Sequence, residues 1–182
     1  SNRLLIIQAL CKQNFEIENL SNSDDTNSLK NALNATEKTI DIGAAGTSFR
    51  FLTSYLTTQK GREFVLTGTD RMKERPIQNL VAALQLLEAR ITYLEKDGFP
   101  PLKIKGTTIL GGEIIIDASI SSQFISSLLL IAPTLANGLI LNISGNLVSK
   151  SYIQMTLGLM EEFGVNHSWN GDKIVVKQQN YI

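Results

Sequence analysis

A duplication at a spacing of about 75 residues constrains this chain more than any other feature. The first copy runs from Gly43. It opens a helix at Gly46-Thr47-Ser48, turns at Gly61, and carries the strand Phe64-Val65-Leu66 into Gly68. A loop follows, then a helix predicted from Pro76 to Ala89 and the strand Ile91-Thr92-Tyr93-Leu94. The second copy opens a helix at Ser121-Ser122-Gln123, turns at Gly138, and carries the strand Leu139-Ile140-Leu141-Asn142-Ile143 into Gly145. Its second helix is predicted from Tyr152 to Phe163, with strands on both sides of Gly171. Between the copies, Leu102-Lys103-Ile104 and Glu113-Ile114-Ile115-Ile116-Asp117 supply further strands, and Pro100-Pro101 and Gly111-Gly112 mark turns. Strands alternating with helices predict an α/β (α+β) fold of repeated units.

The first helix of each copy is almost wholly apolar. One holds Phe49, Phe51, Leu52, Tyr55 and Leu56; the other holds Phe124, Ile125 and Leu128 to Ile131. Such helices must be buried on most faces, so the expected architecture has helices in the centre and sheets around them. Residues 1–42 read as the remains of a third unit. Residues 3–12 suit a buried helix, and Phe15-Glu16-Ile17-Glu18 alternates like a short strand. Ser23-Asp24-Asp25 offers an N-cap and an acidic first turn for a helix to about Leu33. Thr39-Ile40-Asp41-Ile42 reads as a strand ending at Gly43. There is no linker and no low-complexity run, so 1–182 is taken as a single domain.

Lys+Arg and Asp+Glu balance at 17 each, which argues against a broad nucleic-acid footprint while leaving room for a local anion site. Cys11 is the single cysteine, so no internal disulfide is available, and its apolar neighbours predict a buried, inert thiol. With one Cys and one His, no transition-metal site is expected, and His167 reads as a surface or strand residue. The apolar run from Phe124 to Ala136 is too short and too interrupted to span a membrane. The start at Ser1-Asn2-Arg3, without Met or signal peptide, reads as an excised piece of a cytoplasmic protein, and Ser1-Asn2 as native sequence or a cloning remnant.

Equivalent loops of repeated units gather on one face, and these loops carry polar chemistry. Gly43-Ala44-Ala45-Gly46-Thr47-Ser48 is a turn into a helix whose amides suit an anion, with Arg50 in the first turn; it is equally a plain strand-to-helix turn. Asp70-Arg71-Met72-Lys73-Glu74-Arg75-Pro76-Ile77 crowds charges at a helix start, as an anion site or a solvated cap. Ser121-Ser122-Gln123 and Ser149-Lys150-Ser151-Tyr152 either cap helices or hold a phosphate. There is no Gly-x-x-x-x-Gly-Lys-Ser/Thr loop, no Gly-x-Ser-x-Gly elbow and no Ser/His/Asp set beyond the lone His167. Glu161 and Glu162 read as solvated at a helix end.

In order and spacing, Gly-Ala-Ala-Gly-Thr-Ser-Phe-Arg (43–50), Leu-Thr-Gly-Thr-Asp-Arg-Met-Lys-Glu-Arg-Pro-Ile (66–77), Ser-Ser-Gln-Phe-Ile-Ser-Ser-Leu-Leu (121–129) and Val-Ser-Lys-Ser-Tyr-Ile (148–153) resemble the 5-enolpyruvylshikimate-3-phosphate (EPSP) synthase family. Ser1-Asn2-Arg3 also matches its N-terminal motif. The resemblance implies one lobe of a two-lobe enzyme, each lobe built of three βαβαββ units. It implies transfer of the enolpyruvyl group of phosphoenolpyruvate to the 5-hydroxyl of shikimate 3-phosphate, in aromatic amino acid (chorismate) biosynthesis, with no cofactor or metal. Matched by motif, Arg3, Ser121, Ser122, Gln123, Ser149 and Tyr152 would hold shikimate 3-phosphate, and Gly46, Arg75 and Gln123 would hold phosphoenolpyruvate.

Two departures bear on inhibitor sensitivity: Ala44 stands where the family's motif carries Asn, and Phe51 where it commonly carries Pro. The family's Lys-Ser pair upstream of Ser1 and the groups of the other lobe, acid–base groups included, are not in this chain. No catalytic residue is therefore assigned here, and the chain alone is expected not to turn over. The rival readings are an enolpyruvyl transferase acting on a UDP-linked amino sugar, a non-catalytic anion-binding module, and a nucleic-acid-processing protein with a similar repeat.

Overall fold

The computed structural model describes residues 1–13, 15–117, 119, 121–145, 147 and 149–182. Two complete units emerge. The first runs β1 (Thr39–Asp41), α3 (Gly46–Thr57), β2 (Glu63–Thr67), α4 (Asp70–Lys73), α5 (Gln78–Leu86), β3 (Arg90–Tyr93) and β4 (Leu102–Lys105). The second runs β5 (Gly112–Asp117), α6 (Ser122–Ile131), β6 (Leu139–Ser144), α7 (Lys150–Glu162), β7 (His167–Asn170) and β8 (Lys173–Val176). Before them stand only α1 (Asn2–Leu10) and α2 (Asp24–Leu33).

The sheets share one topology, β1-β2-β4-β3 and β5-β6-β8-β7. In each, the first pair is parallel and the other two are antiparallel. Parallel neighbours need a crossover, and α3 and α6 are those crossovers. Each crossover helix also packs on the other and on α1. With neighbours on every side it must be apolar nearly all round, which explains their composition. Around this central trio, α2 packs on α1 and α3, α5 on α3 and α6, and α7 on α6 and α1.

Hydroxyls buried between the central helices are satisfied locally. Ser127 donates to the Arg50 carbonyl at 2.8 Å and lies 2.5 Å from Ser54 Oγ, tying α6 to α3. Thr53 donates to the Phe49 carbonyl and Thr57 to the Ser54 carbonyl within α3. Such bonds contribute about 0.5–1.5 kcal/mol each, and small side chains let the helices approach closely.

Several expectations shift. Thr39–Asp41 and Leu102–Lys105 are the first and last strands of the first unit, not flanking pieces, so each copy is a full βαβαββ motif. The third unit is reduced to α1 and α2, with no sheet of its own among the described residues. Residues 15–18 form no strand, because none of the described strands pairs with them. Phe15 instead packs against Phe163, ring centroids 4.8 Å apart. Cys11 ends α1 half-buried, its Sγ 3.6 Å from the Tyr181 carbonyl, rather than lying inside a buried helix. The helix expected from Pro76 to Ala89 is shorter, Gln78–Leu86, and the charged stretch before it forms a separate short helix, α4. Proline disfavours helical geometry in the residue before it, so Arg75 lies in the loop between the two. Glu161 is exposed but not wholly solvated: its Oε1 lies 3.0 Å from Nε2 of His167, the first residue of β7.

Candidate functional site

Five helices begin at one end of the molecule, as a chain of contacts between their first residues shows. Arg3 of α1 donates from Nε to Thr156 Oγ1 at 2.6 Å and from Nη2 to the Tyr152 carbonyl at 3.4 Å, reaching the start of α7. Asn2 donates to Asp25 Oδ2 at 2.6 Å and accepts from Thr26 Oγ1 at 2.8 Å, joining α1 to α2. Ser48 donates to the Asp25 carbonyl at 2.7 Å, joining α2 to α3. Gln123 donates to Thr47 Oγ1 at 3.0 Å, joining α6 to α3. The unpaired amides and positive dipole ends of these helices therefore gather together, an arrangement suited to anions.

Arginines add full charges. Arg3 lies 5.8 Å from the Phe51 ring centroid, and burial lowers the pKa of its guanidinium. Arg50, 8 % exposed, donates to the Gly46 carbonyl at 2.8 Å and lies over the Phe124 ring at 5.3 Å. Its pKa is lowered to about 10, first by burial and then by the neighbouring charge of Arg75, with Asp25 opposing. Arg75 covers Gly46 so closely that a β-carbon there would overlap its guanidinium. Beside it a cavity of about 460 Å³ is lined by Ala44, Arg71, Met72 and Arg75. The loops are held together by the Thr69 amide, which donates to the Gly43 carbonyl at 3.1 Å, and by Gly68, where a β-carbon would meet that same carbonyl. A cation depressed by burial and by a neighbouring cation, as Arg50 is, is stabilised by an anion placed beside it.

Sequence-matched residues thus fall into three places. Gly46 and Arg75 touch. Gln123 bridges α6 to Thr47 beside them. Arg3 sits with Tyr152, bonded to its backbone, while the Tyr152 side chain is 52 % exposed and uncommitted to the core. Ser121 is a cap, accepting from the Gln123 amide at 3.3 Å, with Ser122 half-buried just inside the helix. Ser149 precedes α7 in the left-handed region, φ 72°, exposed and making no side-chain cap bond. Asn2, Asp25, Thr47 and Thr156 complete the network, and the sequence reading assigns none of them to the site. Thr47 had a signal: it stands 76 residues before Gln123, at the matching position of its helix. Among the described residues no group of three or more His, Cys, Asp or Glu is placed to hold a metal ion, and no helix is long and apolar enough to cross a membrane.

A family model described as EPSP synthase (3-phosphoshikimate 1-carboxyvinyltransferase) matches residues 26–179. The chain belongs to the EPSP synthase family. A 3-phosphoshikimate 1-carboxyvinyltransferase of Bacteroides fragilis is 50 % identical over 182 residues, covering 100 % of this chain and 44 % of the relative. That of Photobacterium profundum is 43 % identical over 191 aligned positions, covering 91 % of this chain and 44 % of the relative. EPSP synthase from Acinetobacter baumannii shares the fold with a TM-score of 0.80 at 20 % identity, covering 100 % of this chain and 46 % of that one. The chain thus spans less than half the length of the family members it matches. The expected α+β architecture of an EPSP synthase lobe is the one observed.

Proposed function

We propose that this chain is the substrate-binding half of a cytoplasmic enzyme that transfers the enolpyruvyl group of phosphoenolpyruvate to the 5-hydroxyl of shikimate 3-phosphate. The observation that carries this reading is the gathering of helix starts around Arg3, Arg50 and Arg75. Both substrates are multiply charged anions, and guanidinium groups suit phosphate and carboxylate. Arg3, Ser121, Ser122, Gln123, Ser149 and Tyr152 take shikimate 3-phosphate. Gly46 and Arg75 take phosphoenolpyruvate, and Gln123 reaches both, tied as it is to Thr47 on the donor's side.

In the reaction the 5-hydroxyl loses its proton to a base as its oxygen bonds to C2 of phosphoenolpyruvate, while a proton is added at C3. The tetrahedral intermediate then loses a proton from C3 as the bond from C2 to the phosphate oxygen breaks and phosphate departs. This chain's share is to bind and orient: cations and helix starts offset the repulsion of two anions, and alignment lowers the entropic part of the barrier. Proton transfer falls to the other half of the enzyme, which is this chain's partner. The purified chain alone therefore binds but does not turn over.

Calorimetric or NMR titration with shikimate 3-phosphate tests this. Saturable binding is expected, weakened about 10- to 100-fold by Arg3→Ala, as befits a lost charged hydrogen bond of about 1.5–3 kcal/mol. Ser122→Ala should weaken it less. Absence of binding at millimolar ligand by the folded chain overturns the site assignment. Measurable enolpyruvyl transfer by the chain alone overturns the division of labour.

A further inference from the structure

Arg50 is a buried cation whose surroundings do not balance it. Nine-tenths of it is removed from solvent, its Nε is buried without a hydrogen-bond partner, and none of the ion pairs among the described residues includes it. Among the described residues its guanidinium makes one hydrogen bond, to its own helix, donating to the Gly46 carbonyl at 2.8 Å. Its nearest charged influences are Arg75, from the loop between α4 and α5, and Asp25, from α2. A buried charge is tolerated when it is paired, so a second cation pressed against it is the opposite of what stability asks. The two guanidiniums converge on Gly46: a β-carbon there would lie 3.0 Å from Nη1 of Arg50 as well as overlapping Arg75. The cavity lined by Ala44, Arg71, Met72 and Arg75 opens directly beside them.

We propose that Arg50 is a positioning residue of the anion site at Gly46: it fixes the first turn of α3, supplies the second positive charge behind Arg75, and requires a dianionic occupant to balance the pair. This rests on reading Gly46 and Arg75 as the phosphoenolpyruvate site, and it adds a residue that touches that ligand only through them. The conformation of the Gly46 turn and the outward placement of Arg75 are then both set from beneath by one side chain. The occupant is a phosphate or phosphate ester with two negative charges, because a single charge leaves one guanidinium uncompensated.

Inorganic phosphate and phosphoenolpyruvate are the probes, titrated calorimetrically into the wild-type chain, Arg50→Met and Arg50→Lys, with thermal melting of each. Arg50→Met keeps the apolar stem over Phe124 and removes the charge. Expected is at least tenfold weaker binding of both probes to Arg50→Met at unchanged melting temperature, with most of the affinity restored in Arg50→Lys. Wild-type affinity should fall as pH rises through about 10, where Arg50 loses its proton, and the Met variant should lose that limb of the profile. A purely structural role moves melting and not the pH profile. Wild-type affinity in a folded Arg50→Met, or no binding of either probe to the wild type, overturns the proposal. Should the Met variant fail to fold, the Nε–H resonance of Arg50 in the wild type decides: a shift and slowed exchange on adding phosphate support it, and an unmoved resonance at saturation overturns it. Arg50-dependent phosphate binding that phosphoenolpyruvate does not compete for sinks the functional reading while leaving Arg50 in its role.

Discussion

The two complete units are the same object twice in backbone and two different objects in chemistry. Gly46 and Ser122 open α3 and α6, and Glu63 and Leu139 open β2 and β6, both pairs 76 residues apart with identical sheet order. Yet at matched positions the first unit places Gly46, Thr47 and Arg50 where the second places Ser122, Gln123 and Ser126. One unit brings cations and bare backbone; the other brings hydroxyls, an amide and the phenol of Tyr152. Folding constrains the apolar positions of both alike, because α3 and α6 share a core. It leaves the first-turn polar positions free, and the two chemistries meet where Gln123 bonds its counterpart Thr47 at 3.0 Å.

Equal truncations in the shared core should cost alike. Leu52→Ala on α3 and Leu128→Ala on α6 each remove a fully buried side chain, and each should cost about 2–5 kcal/mol in urea unfolding. A single cooperative transition is expected in both. A biphasic curve in either, with one unit melting apart from the other, breaks the idea of a common core.

A smaller loss, about 1–3 kcal/mol, is expected for Ser127→Ala, which strips partners from the Ser54 hydroxyl and the Arg50 carbonyl. A neutral result would mean that the hydroxyls serve close approach rather than bonding.

Site substitutions should separate the units where core substitutions do not. Gly46→Ala meets the far end of the Arg75 side chain, which can swing away, so stability should hold or rise by up to about 1 kcal/mol from helix propensity. Phosphoenolpyruvate affinity should nonetheless fall at least tenfold, with shikimate 3-phosphate affinity unchanged. Ser122→Ala should do the reverse. Titration of both variants with both ligands sharpens the comparison, and equal losses for both ligands would dissolve it.

How much of this was legible follows from what is periodic. The repeat, the buried crossover helices and the strands beside Gly61, Gly138 and Gly171 are written in apolar spacing and turn residues, and their positions stand. The reach of Arg75 onto Gly46 is not, because only the fold brings the loop between α4 and α5 against the first turn of α3. Residues 15–18 alternate as a strand does and sit half-buried and exposed in turn, yet a strand also needs a partner, which no local pattern reports. Asp25 reads from sequence as part of an acidic first helical turn; only the fold brings Asn2 onto its carboxylate and Ser48 onto its carbonyl.

The finest shared detail gives the smallest expected effect. Each unit ends its first strand with an aspartate that accepts an amide two residues on: Asp41 from Gly43 and Asp117 from Ser119, both at 2.8 Å. This local bond turns the chain out of the sheet toward the crossover helix. The bond to Ser119 holds the Asp117 carboxyl below its ordinary 3.8. A depressed carboxylate pKa stabilises the folded turn above the ordinary value, and that contribution fades as pH falls through the folded one. Asp117 is fully exposed, so solvent screening keeps the effect on global stability slight, and the local signal is the one to read. In an amide NMR titration the Ser119 resonance should move with a midpoint below 3.8 and should not titrate in Asp117→Asn. Loss of the turn at Asp117 should loosen the entry to Ser121 and Ser122 without touching the Gly46 site. A Ser119 amide that titrates at the ordinary carboxylate value would mean that the turn is held by the strand alone.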